Sequence, residues 1–188
     1  MTYIEQITDR RSRRHEDMAA SISSMVLQLR KDSIKMSLSD LDMVGHRQDH
    51  IATVDGVMYY DDSKAENVNA TWFTLENIVS SVVWIAGGSG HDTNFDELKK
   101  VARKNVRALI CVGTNSKKLA STFSNAVTDI FQADCLEDAV KMASLMARKN
   151  DVVLFSPACP SDNPKEDFET RGNRFINSVK QLQDEHHQ

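Results

Sequence analysis

Val82-Val83-Trp84-Ile85-Ala86-Gly87-Gly88-Ser89-Gly90 is the stretch that decides the fold. A short apolar run closed by glycines reads as a strand ending in a tight turn, and the residues after it change to a helical spacing of apolar positions. The same alternation continues downstream. Strands are expected at 82–86, 108–112, 129–132 and 151–155, with helices around 95–104, 116–123 and 136–147 and a closing helix from about 167 to 182. Strands separated by helices of that length imply βαβ units with right-handed crossovers, hence a mostly parallel, Rossmann-like three-layer α/β domain. Upstream, His50-Ile51-Ala52-Thr53-Val54-Asp55-Gly56-Val57-Met58-Tyr59-Tyr60 places β-branched and aromatic residues on both sides of Asp55-Gly56. That dipeptide suits the positive φ angles of a type I′ turn, so an N-terminal β-hairpin is expected. Two helices precede it. Met18, Ile22, Met25, Val26 and Leu29 recur at steps of three and four on one amphipathic face, a second helix covers about 31–41, and Gly45 breaks the chain.

Composition narrows the function. The 188 residues suit one domain, or one with an appendage, and 40% apolar with 27% charged residues is the makeup of a globular chain. Lys and Arg number 23 against 27 Asp and Glu, a formal charge of −4 that gives phosphate backbones no global attraction. Nucleic acid is therefore not the expected partner. The cluster Arg10-Arg11-Ser12-Arg13-Arg14 has no interleaved aromatics and reads as a solvated helix lead-in. No apolar run approaches the roughly 20 residues that span a bilayer, and the first residues lack a signal-peptide layout, so a cytoplasmic protein is expected. Cys111, Cys135 and Cys159 form no CxxC pair, which disfavours both a disulfide framework and a zinc site.

Ligands of open α/β sheets sit beyond the carboxyl ends of the strands. That rule selects Asp61-Asp62-Ser63-Lys64, Gly87-Gly88-Ser89-Gly90-His91-Asp92, Gly113-Thr114-Asn115 and the turn from Ser156 onward. The glycine turn, ahead of a helix that Thr93 and Asp96 could cap, has two readings: an anion-binding loop or a sterically required turn. It is neither GxxxxGK[ST] nor GxGxxG. Asp61 to Asn67 reads as the capped, ion-paired start of a helix. Cys159 has no histidine assigned to it by spacing, and Asp162, His186 and His187 carry no metal-ligand pattern.

Taken together these segments say more than any one alone. Gly45-His46-Arg47, Tyr60-Asp61-Asp62-Ser63-Lys64-Ala65-Glu66-Asn67-Val68-Asn69-Ala70-Thr71, Val83-Trp84-Ile85-Ala86-Gly87-Gly88, Leu154-Phe155-Ser156-Pro157-Ala158-Cys159 and Phe168-Glu169-Thr170-Arg171-Gly172-Asn173-Arg174-Phe175 closely resemble the C-terminal part of the Mur ligases. The D-glutamate-adding branch is the nearest, and the resemblance runs from about Met18 to Leu182. It implies a C-terminal, amino-acid-presenting domain at 45–188, preceded at 1–44 by an extension and a helical remnant of the family's central domain. The family's ATP P-loop and UDP-sugar domain have no counterpart in these residues. By resemblance, Arg47, Asp62 and Lys64 lie on the ATP side, and Lys64, Ser161 and Phe168 belong to the amino-acid pocket.

Other positions depart from the family pattern. Glu66 stands where Thr is usual, His91 where a Lys binds the substrate carboxylate, and Asp162 where a bulky apolar residue is usual; Arg13 and Glu16 replace two asparagines near the nucleotide. D-glutamate is anionic, and two unit charges about 4 Å apart interact by about 4 kcal/mol at an effective dielectric near 20. A penalty of that size lowers affinity about a thousandfold. His91 also exchanges a permanent cation for a group with an unperturbed pKa of about 6.5. The expectation is a free-standing, degenerate relative, a pseudoenzyme that needs no cofactor alone and acts through a protein partner or self-association by the Met18–Leu29 helix face. The alternative is a split or excised part of an active ADP-forming ligase using ATP and Mg. A weaker possibility makes His91, Glu66 and Asp162 a small cation pocket.

Overall fold

The computed structural model describes residues 46–90 and 92–186, together with Met25 and Gln28. The chain divides into two units at Asp42/Met43. The expected helices at 17–29 and 31–41 lie outside the described residues, apart from Met25 and Gln28, which are helical and exposed.

Six strands form one sheet: β1 (Asp49–Val54), β2 (Val57–Asp61), β3 (Val82–Gly87), β4 (Val106–Val112), β5 (Asp129–Gln132) and β6 (Val152–Phe155). Their spatial order is β1-β2-β6-β3-β4-β5. β1 and β2 pair antiparallel and every other pair is parallel. The hairpin turn lies at Asp55 and Gly56, with φ of 50° and 78°, the positive pair that a type I′ turn requires. Five α-helices connect or follow the strands: α1 (Val68–Asn77), α2 (Lys99–Asn105), α3 (Ser116–Phe123), α4 (Leu136–Met146) and α5 (Phe168–His186), with a 3₁₀ turn at Asp96–Leu98 leading into α2. α5 extends past the expected end near Leu182, and the last strand begins at Val152 rather than at Asp151. Among the described residues no helix is long and apolar enough to cross a membrane.

Alternation along β3 explains the three layers. Val83 and Ile85 face a core completed by α4 and α5 through Val140, Ala143, Phe175 and Val179. Val82, Trp84 and Ala86 face the opposite core with Leu75 of α1, Leu98, and Leu119 and Phe123 of α3. Successive side chains of a strand point to opposite faces, so an all-apolar strand is the signature of a sheet covered on both sides. Trp84 is fully buried, edge-on to Phe123 at 5.3 Å, and its indole N–H donates to the Ser156 carbonyl at 2.7 Å. That bond satisfies the one polar atom of the largest core side chain and ties β3 to the turn after β6.

Candidate functional site

The carboxyl ends of β2, β3, β4 and β6 converge on one edge of the sheet. Gly87 and Gly88 have φ of 131° and 148°. A Cβ at Gly87 would lie 1.9 Å from the Val112 carbonyl oxygen, and one at Gly88 2.2 Å from that of Pro160. The amides of Gly87 and Ser89 donate to Pro157 and Pro160 carbonyls at 3.0 and 2.9 Å. The steric reading is met: these glycines let three turns pack backbone to backbone, and the Gly87 and Ser89 N–H groups are used between the turns. The helix-start expectation also changes, because the Asn94 side chain, rather than Thr93 or Asp96, accepts from the Asp96 amide at 3.0 Å.

A cavity of about 210 Å³ opens on this edge, lined by Gly88, Gly113, Ser161, Asp162, Glu166 and Arg171 among others. That is below the roughly 300–1,000 Å³ of drug-sized pockets and suits a ligand of amino-acid size. Ser161 lines it through two bonds: its hydroxyl donates to Glu166 and its carbonyl accepts from the Ser89 hydroxyl at 2.8 Å. Asp162 reaches across to the turn after β4, accepting from the Thr114 hydroxyl at 2.7 Å and its amide at 3.1 Å.

The turn after β2 holds the second group. Asp62 is buried; its Oδ2 accepts from Thr74 at 2.7 Å and Ser156 at 2.8 Å, and Ser156 in turn meets the Thr71 hydroxyl at 2.8 Å. Burial pushes the Asp62 carboxyl up to about 7, while the two hydroxyls and the Arg47 charge pull the other way. Asp61 is raised by burial as well, against the pull of His46, whose Nδ1 lies 2.6 Å from Oδ2. Lys64 Nζ sits 4.9 Å above the Phe168 ring, a cation–π contact, and His46 meets the same ring edge-on at 6.3 Å.

Arg171 joins the two groups. Its guanidinium donates to Cys159 O at 3.3 Å, Ser63 O at 3.1 Å and Glu66 Oε1 at 3.2 Å. Expected site residues Arg47, Asp62, Lys64 and Phe168 thus gather at the β2 turn, Ser161 and Asp162 at the cavity, and Glu66 at the bridge between them. Of the expected cation pocket, Glu66 bonds to Arg171 and Asp162 to Thr114, while His91 lies outside the described residues; among the described residues no group of three or more is placed to hold a metal. Cys159 is buried and its thiol is pushed up to about 11, chiefly by desolvation, which disfavours the thiolate that a nucleophile needs.

Sequence reasoning quoted Arg171 and Ser156 within motifs without giving either a role, and passed over Thr74. One signal was present: Gly172 inside a helical pattern, where Gly costs about 1 kcal/mol against Ala. A Cβ there would lie 2.3 Å from His46 Nδ1, 2.4 Å from Ser63 Oγ and 2.7 Å from Asp61 Oδ2. The missing side chain is what lets α5 bring Arg171 against the β2 turn.

Comparison with known proteins agrees with this architecture. Residues 46–159 match the family described as Mur ligase, glutamate ligase domain. The UDP-N-acetylmuramoylalanine–D-glutamate ligase of Christiangramia forsetii is 39% identical over 165 residues, covering 88% of this chain and 37% of the relative. That of Salinibacter ruber is 38% identical over 168 residues, covering 89% of this chain and 36% of the relative. The chain therefore spans little more than a third of the length of these curated relatives. The crystal structure of a UDP-N-acetylmuramate-alanine ligase from Thermotoga maritima superposes with a TM-score of 0.52 at 14% identity, over 74% of this chain and 31% of that one, which speaks for the fold alone. With the matched segment taking in the hairpin, the β2 turn, the glycine turn and β6, this chain belongs to the Mur ligase family through its C-terminal domain.

Proposed function

We propose that this chain is a degenerate Mur ligase C-terminal domain that does not take D-glutamate, has no ligase activity by itself and acts through protein interaction. The observation that carries the reading is the Glu66–Arg171 contact at 3.2 Å. The buried guanidinium beside the amino-acid pocket already has a carboxylate partner from within the chain, and Asp162 lines the same cavity. An incoming acidic amino acid meets like charge there, at a cost on the order of 4 kcal/mol per close pair. The contact surface in this reading is the Met18, Ile22, Met25, Val26 and Leu29 face, of which Met25 is 65% exposed. Titration calorimetry with D-glutamate and with ATP-Mg is expected to show no heat at millimolar ligand; clear D-glutamate binding overturns the reading. Light scattering on the full chain, compared with a Met25→Lys variant, tests self-association through that face.

A second reading is favoured by the ordered β2 turn. Asp62 is held by two hydroxyls under the influence of Arg47, and Lys64 lies over Phe168, which supports a nucleotide side built from Arg47, Asp62 and Lys64. In that reading the chain is part of an active ADP-forming ligase of the peptidoglycan type, with ATP and Mg held on other domains and Lys64 offsetting phosphate charge. Adding a P-loop-bearing partner domain and measuring phosphate release tests it. The pocket then calls for a neutral or basic amino acid, and no stimulation by any amino acid ends the idea.

A further inference from the structure

The outer side of α2 is cationic, although the chain as a whole has more Asp and Glu than Lys and Arg. At about 100° per residue, Lys99, Lys100, Arg103 and Lys104 fall within an arc of about 140°, while Val101 and Ala102 on the other side are buried in the core. Lys100, Arg103 and Lys104 are exposed. Neither α2 nor α3 contains an Asp or Glu. Lys99 pairs with Asp96 at 2.6 Å, and Arg103 donates to the Asn125 carbonyl at 3.3 Å. Among the described residues no carboxylate lies within ion-pair distance of Lys100, Arg103 or Lys104. The Asn125 contact also ties the end of α2 to the loop after α3, and Lys118 of α3 lies over the Phe95 ring, 6.0 Å from its centre, at the approach to α2. Lys118 thereby borders the same strip. Helix polarity favours cations in a last turn, which accounts for Arg103 and Lys104 but not for Lys100 in the first.

We propose that the outward face of α2, bordered by Lys118, is a docking surface for an acidic segment of a protein partner. Lys100 and Lys104 stand four residues apart, about 6 Å along the helix axis, a spacing that carboxylates at every fourth position of a partner helix reproduce. A short acidic segment meets only this local field, because charges beyond about 8 Å are screened at physiological ionic strength. A long nucleic acid or a membrane surface instead meets the whole molecule, whose formal charge is −4. The exposed large apolar residues among those described are Met25, Val79 and Leu145, none of them on α2 or α3. The strip therefore offers no aromatic platform for bases and no wedge for lipid. This surface shares no residue with the cavity or with the Met18–Leu29 face, and goes beyond both readings given above.

The test uses the full chain and a fluorescein-labelled peptide of about 15 residues, long enough to form a helix, with Glu at every fourth position, read by fluorescence anisotropy at low salt. A counterpart peptide has Gln for Glu. Wild type is expected to bind the Glu peptide, more weakly as salt rises, and to shift the amide resonances of α2. Lys100→Glu/Lys104→Glu should lose about tenfold or more in affinity, since each reversal replaces an attraction with a repulsion worth up to about 1 kcal/mol. Lys141→Glu/Lys180→Glu changes the net charge equally from α4 and α5 and should lose less than about threefold. Lys100→Gln/Lys104→Gln, which only removes charge, should lose less than the Glu pair and serves if that variant does not fold. No binding of the Glu peptide, equal binding of the Gln peptide, or equal loss in the α2 and the α4/α5 variants overturns the proposal. Single-stranded RNA or phosphatidylglycerol vesicles bound more tightly than the peptide, and released by the same α2 reversal, also overturn it in favour of that partner. D-glutamate titration reads the cavity and Met25→Lys reads the other face, so this surface can fail while those readings stand, and the reverse.

Discussion

Ser156 Oγ donates to Asp62 Oδ2 at 2.8 Å across 94 residues of sequence, and so fastens the turn after β6 to the turn after β2. Thr74 of α1 completes the arrangement on the same oxygen. This buried carboxylate has a pH consequence of defined sign. Its pKa in the folded chain, about 7, lies above the ordinary 3.8, so between those values the folded state holds a proton that the unfolded state has lost. Stability should therefore fall as pH rises from about 4 to about 7 and level off above, with a slope of at most about 1.4 kcal/mol per pH unit from this group. Asp61, raised in the same direction, adds to the slope with the same sign. Urea unfolding across that range should show a flatter profile for Asp62→Asn; an unchanged slope would mean that Asp62 is ionised in the folded chain.

Gly172→Ala tests how closely α5 approaches the β2 turn. Helix propensity alone predicts a gain of about 1 kcal/mol for the exchange. The added Cβ, 2.3 Å from His46 Nδ1 and 2.4 Å from Ser63 Oγ, forces a shift of packed groups that typically costs about 1–3 kcal/mol. Denaturant unfolding should report net destabilisation. A variant more stable than wild type would show that the turn gives way freely.

Arg174 bonds both oxygens of Glu137, each at 2.9 Å, and Glu166 at 2.9 Å. These contacts link α5 to the start of α4 and hold the rim of the cavity. Because Arg174 and Glu137 are 42% and 41% exposed, solvent screens the pairing, and Arg174→Gln should cost only about 1 kcal/mol. The difference from wild type should shrink at high salt; a salt-independent loss would assign the effect to packing of the arginine stem.

The three cysteines should react unequally. Cys111 and Cys159 are buried, with thiols pushed up to about 12 and about 11 by desolvation. Cys135 is half-buried at the start of α4, where its sulfur accepts from the Asp138 amide at 3.5 Å. Iodoacetamide at neutral pH should label Cys135 first in the native chain and the other two only after unfolding. Early modification of Cys159 would reopen its reading as a nucleophile.

Much of this was legible in the sequence for local reasons. Period-two and period-3.6 spacing of apolar residues marks strand and helix within a dozen positions, so the run of alternating elements from residue 82 onward and the hairpin at Asp55-Gly56 could be read directly. The glycine turn was legible as a turn but not as a steric necessity, since its neighbours Val112, on β4, and Pro160, in the turn after β6, are distant in sequence. The site residues found by resemblance were located as positions, without the bonds that give them character.

What the sequence by itself determined is the succession of elements and the family, because both depend on residues close along the chain or on motif identity. The tertiary structure decided which elements are neighbours. It set β6, last in sequence, between β2 and β3, and thereby placed Ser156 on Asp62. It also brought Arg171 against Glu66 from 105 residues away. The physical reason is burial: a guanidinium or carboxylate taken out of water must find its partner wherever packing delivers one, and no periodicity in the chain records that pairing.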